Sequence, residues 1–332
     1  MKKWFSLLMA SVMVFALAAC SGANESTDGS EKTTTWKLGH LGNEDHVWHK
    51  TAEKFAELVA EKTDGKLEIK IFPNEQLGGE TEVLNSIESG TVDMTISGET
   101  MQNWAPEAAL MAVPYAFKGQ DHMKKVVEGE VGADIESAIK EKVGVTPLYY
   151  HMRAPRNLTS NKPIETPEDL KGFKMRVPNV PLFMDAWKEA GARPQVMDFS
   201  EVFTALQQNV IDGQENPVDL IHSAGFNEVQ KYVNKTEHVY SWIYVVVGNK
   251  QFEALDEETQ NAVKEAAEEA QAYGQELFEE ENAKYEKALK DEGMEFVEVD
   301  KEAFAEAMKP AVEKSLSEEQ LKLYEKILES AE

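Results

Sequence analysis

From Trp36 onward the chain alternates two hydrophobic periods, and that alternation limits the folds open to it more than any other feature. Trp36–Leu41 reads as a strand. Val47–Lys62 carries Val47, Ala52, Phe55, Leu58 and Val59 at helical spacing, and Leu67, Ile69 and Ile71 return to period two. A helix over Glu80–Ser89 ends at Gly90, a residue suited to a left-handed cap, and Val92–Ser97 follows as a strand. The βαβαβ order predicts a mainly parallel sheet covered by helices.

A second unit of the same build follows. Thr166-Pro167-Glu168-Asp169 opens with an N-cap threonine, proline at the first helical position and acids in the first turn. Phe173, Met175 and Val177 alternate as a strand, and helices are expected near Leu182–Glu189 and Ser200–Gln208. Leu84–Asp93 and Phe203–Asp212 echo each other: each is a helix, then Gly90 or Asn209, then a β-branched pair and an aspartate. His238–Gly248 reads as one buried strand. Asp256–Glu292 reads as one helix of about 37 residues, ~55 Å long, which exceeds one small lobe and is expected to run along two. A last helix starts near Ser317.

The amino terminus is of another kind. Lys2 and Lys3 precede an apolar run from Trp4 to Ala19, too short for a span of about 20 residues. Ala16-Leu17-Ala18-Ala19-Cys20 resembles a bacterial lipobox, and Cys20 is the only cysteine among 332 residues. We therefore expect a signal peptide at 1–19, a lipidated Cys20 and a Ser/Thr/Gly/Glu-rich tether over 20–35, holding the mature protein to a membrane outside the cytoplasm. An ordinary signal peptide with an incidental cysteine is the plainer alternative. With one cysteine there is neither a disulfide nor a Cys-type zinc site. The formal net charge of −26 speaks against nucleic acid as a partner. It also repels anions at long range, so any anion site must be built locally from arginine.

Arg176 is the strongest such candidate. In KMRVP the apolar residues share one face of the strand, Lys174 and Arg176 share the other, and Pro178 stops the strand. That puts Arg176 at a carboxyl end, where open α/β sheets bind ligands, with a guanidinium fork matched to a carboxylate. A structural ion pair is the competing explanation. Arg153 and Arg156 lie near the expected inter-lobe crossover, each a second anchor or a surface arginine. Gln214-Glu215-Asn216-Pro217 fits either a set of polar ligand contacts or a turn. Gly78-Gly79 before a helix can bind an anion, although glycine turns are common. His40, His46 and His49 crowd one stretch with Glu44 and Asp45, but His46 and His49 lack the HExxH spacing of zincins, and no metal or other cofactor is expected. The chain lacks a GxSxG elbow and any other nucleophile motif, which favours binding over catalysis.

DLKGFKMRVPNVPLFMDAWKEAGARPQVMDFSEVFTALQQNVIDGQENP, Asp169–Pro217, together with FPNEQLGGETEVLNSIESGTVDM, Phe72–Met94, resembles the solute-binding proteins of TRAP transporters, the DctP-like family. The resemblance runs from about Trp36 into the C-terminal helices. It implies a non-enzymatic α/β receptor of two-lobed, periplasmic-binding-protein-like fold. Each lobe is a mainly parallel sheet covered by helices, a long helix spans both, and the lobes close on an organic acid for delivery to integral TRAP permease subunits. Lobe I is then 36–153 plus about 242–281, and lobe II 154–241 plus about 282–332. Carried over residue by residue, Arg176 pairs with the ligand carboxylate, Arg156 is a second arginine, Asn216 a polar contact, Phe199 an aromatic wall and Glu80 an acidic contact. Gly98 stands where sialic-acid binders carry an acid, with Glu99 beside it, and Leu41 stands in place of an asparagine. These departures turn the expectation from sialic acid to a smaller sugar acid or a dicarboxylate. Trp242, Tyr240 and His151 are pocket candidates on position alone. The rival functions are a receptor for an ATP-driven importer, separable by a neighbouring permease gene, and a secreted lipoprotein hydrolase, separable by turnover.

Overall fold

The computed structural model describes residues 33–331. The expected signal peptide at 1–19, the expected lipidation site Cys20 and the expected tether up to residue 32 lie outside the described residues. The tether expected over 20–35 ends earlier than that, because Thr34 and Thr35 already belong to a strand: the Thr34 amide donates to the Lys66 carbonyl at 2.8 Å, and Thr34 stands in register with Leu67.

The first half of the chain runs β1 (Thr34–Gly39), α1 (Val47–Lys62), β2 (Leu67–Phe72), α2 (Glu80–Ser89), β3 (Met94–Ser97), α3 (Gln120–Val127), α4 (Glu130–Ala138), β4 (Val145–Met152) and β5 (Arg156–Ser160). It continues with β6 (Lys174–Val177), α5 (Pro181–Glu189), β7 (Arg193–Val196), α6 (Phe199–Gln207), β8 (Gly213–Asn216), α7 (Val218–Ser223) and β9 (Tyr232–Val239). The remainder is β10 (Trp242–Gly248), α8 (Asn249–Glu253), α9 (Glu257–Asp291), β11 (Glu295–Val297), α10 (Lys301–Ser315) and α11 (Glu318–Glu329).

The strands form two mixed sheets, ordered β2-β1-β3-β10-β4 and β11-β9-β5-β8-β6-β7. Each keeps the parallel βα core that the pattern predicts. β1 runs parallel to β2 and β3, and β6 runs parallel to β7 and β8. Antiparallel strands complete each sheet: β10 against β3 and β4 in the first, β5 against β8 and β9 in the second. The left-handed caps sit as the echo between the two halves requires, with Gly90 at φ 77° closing α2 and Asn209 at φ 57° after α6.

His238–Gly248 is not one strand. β9 ends at Val239 in the second sheet, and β10 starts at Trp242 in the first. The sequence hides this break because the segments on both sides of Tyr240-Ser241 are rich in buried residues. The chain passes between lobes here and again between β4 and β5, and the two crossings are tied by the Arg153 amide donating to the Ser241 carbonyl at 3.1 Å. Helix α9 packs on α1 and β4 of the first lobe and on α7 of the second, so it spans both. Gly274 permits the close approach: a Cβ there would meet the Thr51 side chain at 2.8 Å and His151 at 3.1 Å.

Candidate functional site

A cavity lies between the lobes at the carboxyl ends of the parallel strands. Leu41 beyond β1, Ser97 and Gly98 at the end of β3, Arg176 and Pro178 at the end of β6, Met197 beyond β7 and Asn216 at the end of β8 all line it. This is the place the topology of open α/β sheets provides for a ligand. Glu80, Glu99, Arg153, Arg156 and Phe199 complete the polar and aromatic wall.

Arg176 is 5% exposed. Its Nε donates to the Met197 carbonyl at 2.8 Å, and its guanidinium lies 5.8 Å from the centre of the Phe199 ring. Among the described residues it makes no ion pair, and its two terminal amino groups have no protein partner. Burial depresses its pKa to about 10, with the charge of Glu215 acting the other way. The competing explanation, a structural ion pair, therefore does not hold for this residue.

Arg156 differs. It opens β5 and faces Glu215 on the neighbouring β8. Nε donates to Glu215 Oε2, and Nη2 donates to Oε1 at 2.7 Å and to the Glu215 carbonyl at 2.9 Å. Burial alone would raise the Glu215 pKa, but Arg156 outweighs it and the group sits at about 2. His238 Nε2 adds a further contact, to Glu215 Oε2 at 3.1 Å. Arg156 is thus already neutralised, although it still borders the cavity. Arg153 pairs through Nη1 with Glu99 Oε1 at 3.0 Å, and Arg156 Nη1 reaches the same oxygen at 3.5 Å. Burial pulls the Arg153 pKa down against Glu99.

Glu99 is 4% exposed, and its second oxygen, Oε2, is buried with no partner. Glu80 opens α2, and its Oε1 accepts from Ser97 Oγ at 2.5 Å and from the Gly98 amide at 3.4 Å. Burial raises its pKa, the Ser97 bond opposing. Asn216 donates through Nδ2 to Gln214 Oε1 at 2.6 Å, and Phe199 begins α6 beside Arg176.

Trp242 must be corrected. It is fully buried and absent from the cavity lining, packed edge-on against Phe117 and Tyr244. Strand alternation turns its neighbour Ile243 to the cavity instead. Tyr240 and His151 do not line the cavity either. The histidines of the amino-terminal lobe also have other partners. His40 Nε2 and His49 Nδ1 share a hydrogen bond at 3.1 Å, while His46 Nε2 lies 3.2 Å from Asp219 Oδ2. No cluster of metal-ligating side chains exists among the described residues. At Gly79, the α2 N-terminus is met by the Asp198 carboxylate, close enough that a Cβ on residue 79 would lie 2.6 Å from it. Sequence reasoning missed Glu215 as the partner of Arg156. It also missed Trp48, on α1, and Asn179 and Asp198, which border the cavity from within the Asp169–Pro217 stretch without having been singled out there.

A two-lobed α/β fold with an arginine-lined cleft between its lobes is the architecture of a solute-binding protein. The chain matches the model of the bacterial extracellular solute-binding protein family 7 over residues 38–319, and it belongs to that family. A solute-binding protein of Roseobacter denitrificans is 52% identical over 94% of this chain and 96% of that one. The crystal structure of that Roseobacter protein with bound L-galactonate has a TM-score of 0.88 at 53% identity, covering 90% of this chain and 99% of that one. The 2,3-diketo-L-gulonate-binding periplasmic protein of Escherichia coli is 35% identical over 82% of this chain and 84% of its own length. A TRAP periplasmic solute-binding protein from a Sulfitobacter species, solved with bound β-D-galacturonate, has a TM-score of 0.86 at 31% identity, covering 89% of this chain and all 100% of the other. This protein is accordingly an extracytoplasmic solute-binding protein and not an enzyme, and no described helix is long and apolar enough to cross a membrane.

Proposed function

We propose that this protein captures a sugar acid outside the cytoplasm and delivers it to a TRAP-type secondary transporter. The observation that carries this reading is Arg176, a buried guanidinium in the interlobe cleft with no acidic partner among the described residues. The ligands named for related proteins, L-galactonate and β-D-galacturonate, have the matching carboxylate. In this reading Arg176 pairs with the carboxylate and Phe199 walls the site. Asn216, Glu80 and Glu99 take hydroxyls, and Arg156 holds Glu99 and Glu215 in place. Lobe I is 34–153 plus about 242–281, with α11 packed back onto its α4, and lobe II is 154–241 plus about 282–316. A ligand touching both lobes binds the closed form better and shifts the open–closed equilibrium toward it. Cys20 carries the lipid that tethers the receptor to the membrane.

Thermal unfolding against a panel of uronates, aldonates, C4-dicarboxylates, 2-oxo acids and sialic acid tests the reading. A ligand at about 100 times its Kd stabilises the fold by roughly 2.7 kcal/mol. Arg176→Ala removes the partner of a desolvated charge, at about 2–5 kcal/mol of binding. Response to neutral sugars and to no acid would sink the proposal. Mass spectrometry of the mature N-terminal peptide tests acylation of Cys20, and an unmodified cysteine rules the anchor out.

A further inference from the structure

The charges around the cleft are unevenly distributed. Of its three arginines, Arg153 and Arg156 both spend an amino group on Glu99 Oε1, and Arg156 is additionally clamped by Glu215. Arg176 keeps both terminal amino groups without a protein acceptor and has no carboxylate partner, whereas Arg153 is paired through Nη1 alone, its Nε buried without an acceptor. The same wall carries Glu80 and Glu99, with Glu75 and Asp198 also among the lining residues. Glu99 Oε2 is an acceptor buried with no donor. A buried, unpaired carboxylate oxygen is costly, and a ligand that donates to it relieves the cost. Arg176 is therefore the one arginine of the cavity whose charge no carboxylate meets, and acceptors lie elsewhere on the wall.

We propose that the cleft selects polyhydroxy monocarboxylates and rejects dicarboxylates, with Glu80 and Glu99 as the residues that exclude a second carboxylate. This rests on the sugar-acid reading above and narrows it. A ligand hydroxyl donates to Glu99 Oε2 or to Glu80. A carboxylate at that end has no proton to donate and meets like charge in a desolvated space. The neighbouring guanidinium groups do not offset it, because the charges of Arg153 and Arg156 are already met by Glu99 and Glu215. Like-charge juxtaposition of this kind excludes wrong partners.

The discriminating ligands are galactonate and galactarate, which share a carbon chain and differ in whether one or both ends are carboxylates. Titration calorimetry of the wild-type protein at neutral pH should show galactarate binding at least about 100-fold more weakly. Glu80→Gln, whose amide can donate to a carboxylate, should shrink that ratio by about 10-fold or more, and Glu99→Gln should shift it the same way. Galactarate within about 3-fold of galactonate on the wild type overturns the selection but leaves the sugar-acid receptor standing. A ratio unchanged in both variants, with galactonate still bound, overturns the assignment to Glu80 and Glu99. If neither acid nor any uronate binds the wild type while acids without a polyol chain do, the sugar-acid reading itself falls, and this inference with it. The wild-type comparison does not depend on either variant folding.

Discussion

Glu75, on the first lobe, accepts the backbone N–H of Ser200, on the second, through Oε2 at 2.9 Å. It does not act alone at the cleft mouth. Asn43 Nδ2 donates to the Ser223 carbonyl at 2.9 Å, Asn103 Nδ2 to the Asn179 carbonyl at 2.8 Å, and Asn179 Nδ2 to Thr81 Oγ1 at 3.3 Å. The lobes are thus latched by side chains outside the ligand's reach as well as by residues lining the cavity. Glu75→Ala should leave the association rate nearly unchanged and raise the dissociation rate about 3–10-fold, the effect of one partly exposed hydrogen bond. Stopped-flow measurement of both rates checks this, and an effect confined to association would refute a latch.

Arg176 places a stability cost beside its function. Burial of a guanidinium without a counter-charge strains the unliganded fold, so Arg176→Ala should melt at the same temperature as wild type or higher while losing its response to ligand. Arg176→Lys keeps the charge but loses the fork, and should recover only part of the affinity. Melting curves with and without sugar acid decide it. A variant that simply unfolds early would assign Arg176 a structural role.

Glu215 is the opposite case. It is fully buried and bound to Arg156 and His238. Glu215→Ala should cost about 3–5 kcal/mol of folding stability, because it strands a buried guanidinium. Urea unfolding measures this directly. A loss below about 1 kcal/mol would mean that water or Glu99 takes over the pairing.

Two buried histidines make the fold acid-sensitive. Burial lowers both His40 and His151 to about 3, His40 further by its histidine neighbours and His151 by His46. The unfolded chain then binds more protons than the folded one between about pH 6.5 and 3. Their contribution to stability is complete above about pH 6.5 and is lost as pH falls toward 3, by on the order of 1 kcal/mol per pH unit for each. Urea midpoints at pH 7, 6 and 5 should fall accordingly, and His151→Gln should flatten the slope. An equal slope in wild type and variant would clear His151.

What the sequence determined by itself was local. Hydrophobic period, cap residues and the proline after Val177 are readable within a few positions, because a helix or strand buries its face by a rule its neighbours in the chain already satisfy. This is why α1, α2, α9 and the paired caps at Gly90 and Asn209 were legible, and why Arg176 could be put at a strand end. The tertiary structure alone decided what each polar group meets. Arg156 finds Glu215 59 residues away, through the β5–β8 register. Trp242 and Ile243 are both apolar, and only the neighbours of β10 determine which of them looks into the cleft. The run from His238 to Gly248 changes sheets midway, at the part-buried Tyr240 between two buried strands. Strand pairing and the meeting of two lobes are long-range choices among segments of similar pattern, so the ion pairs that leave Arg176 free exist only once the chain has closed on itself.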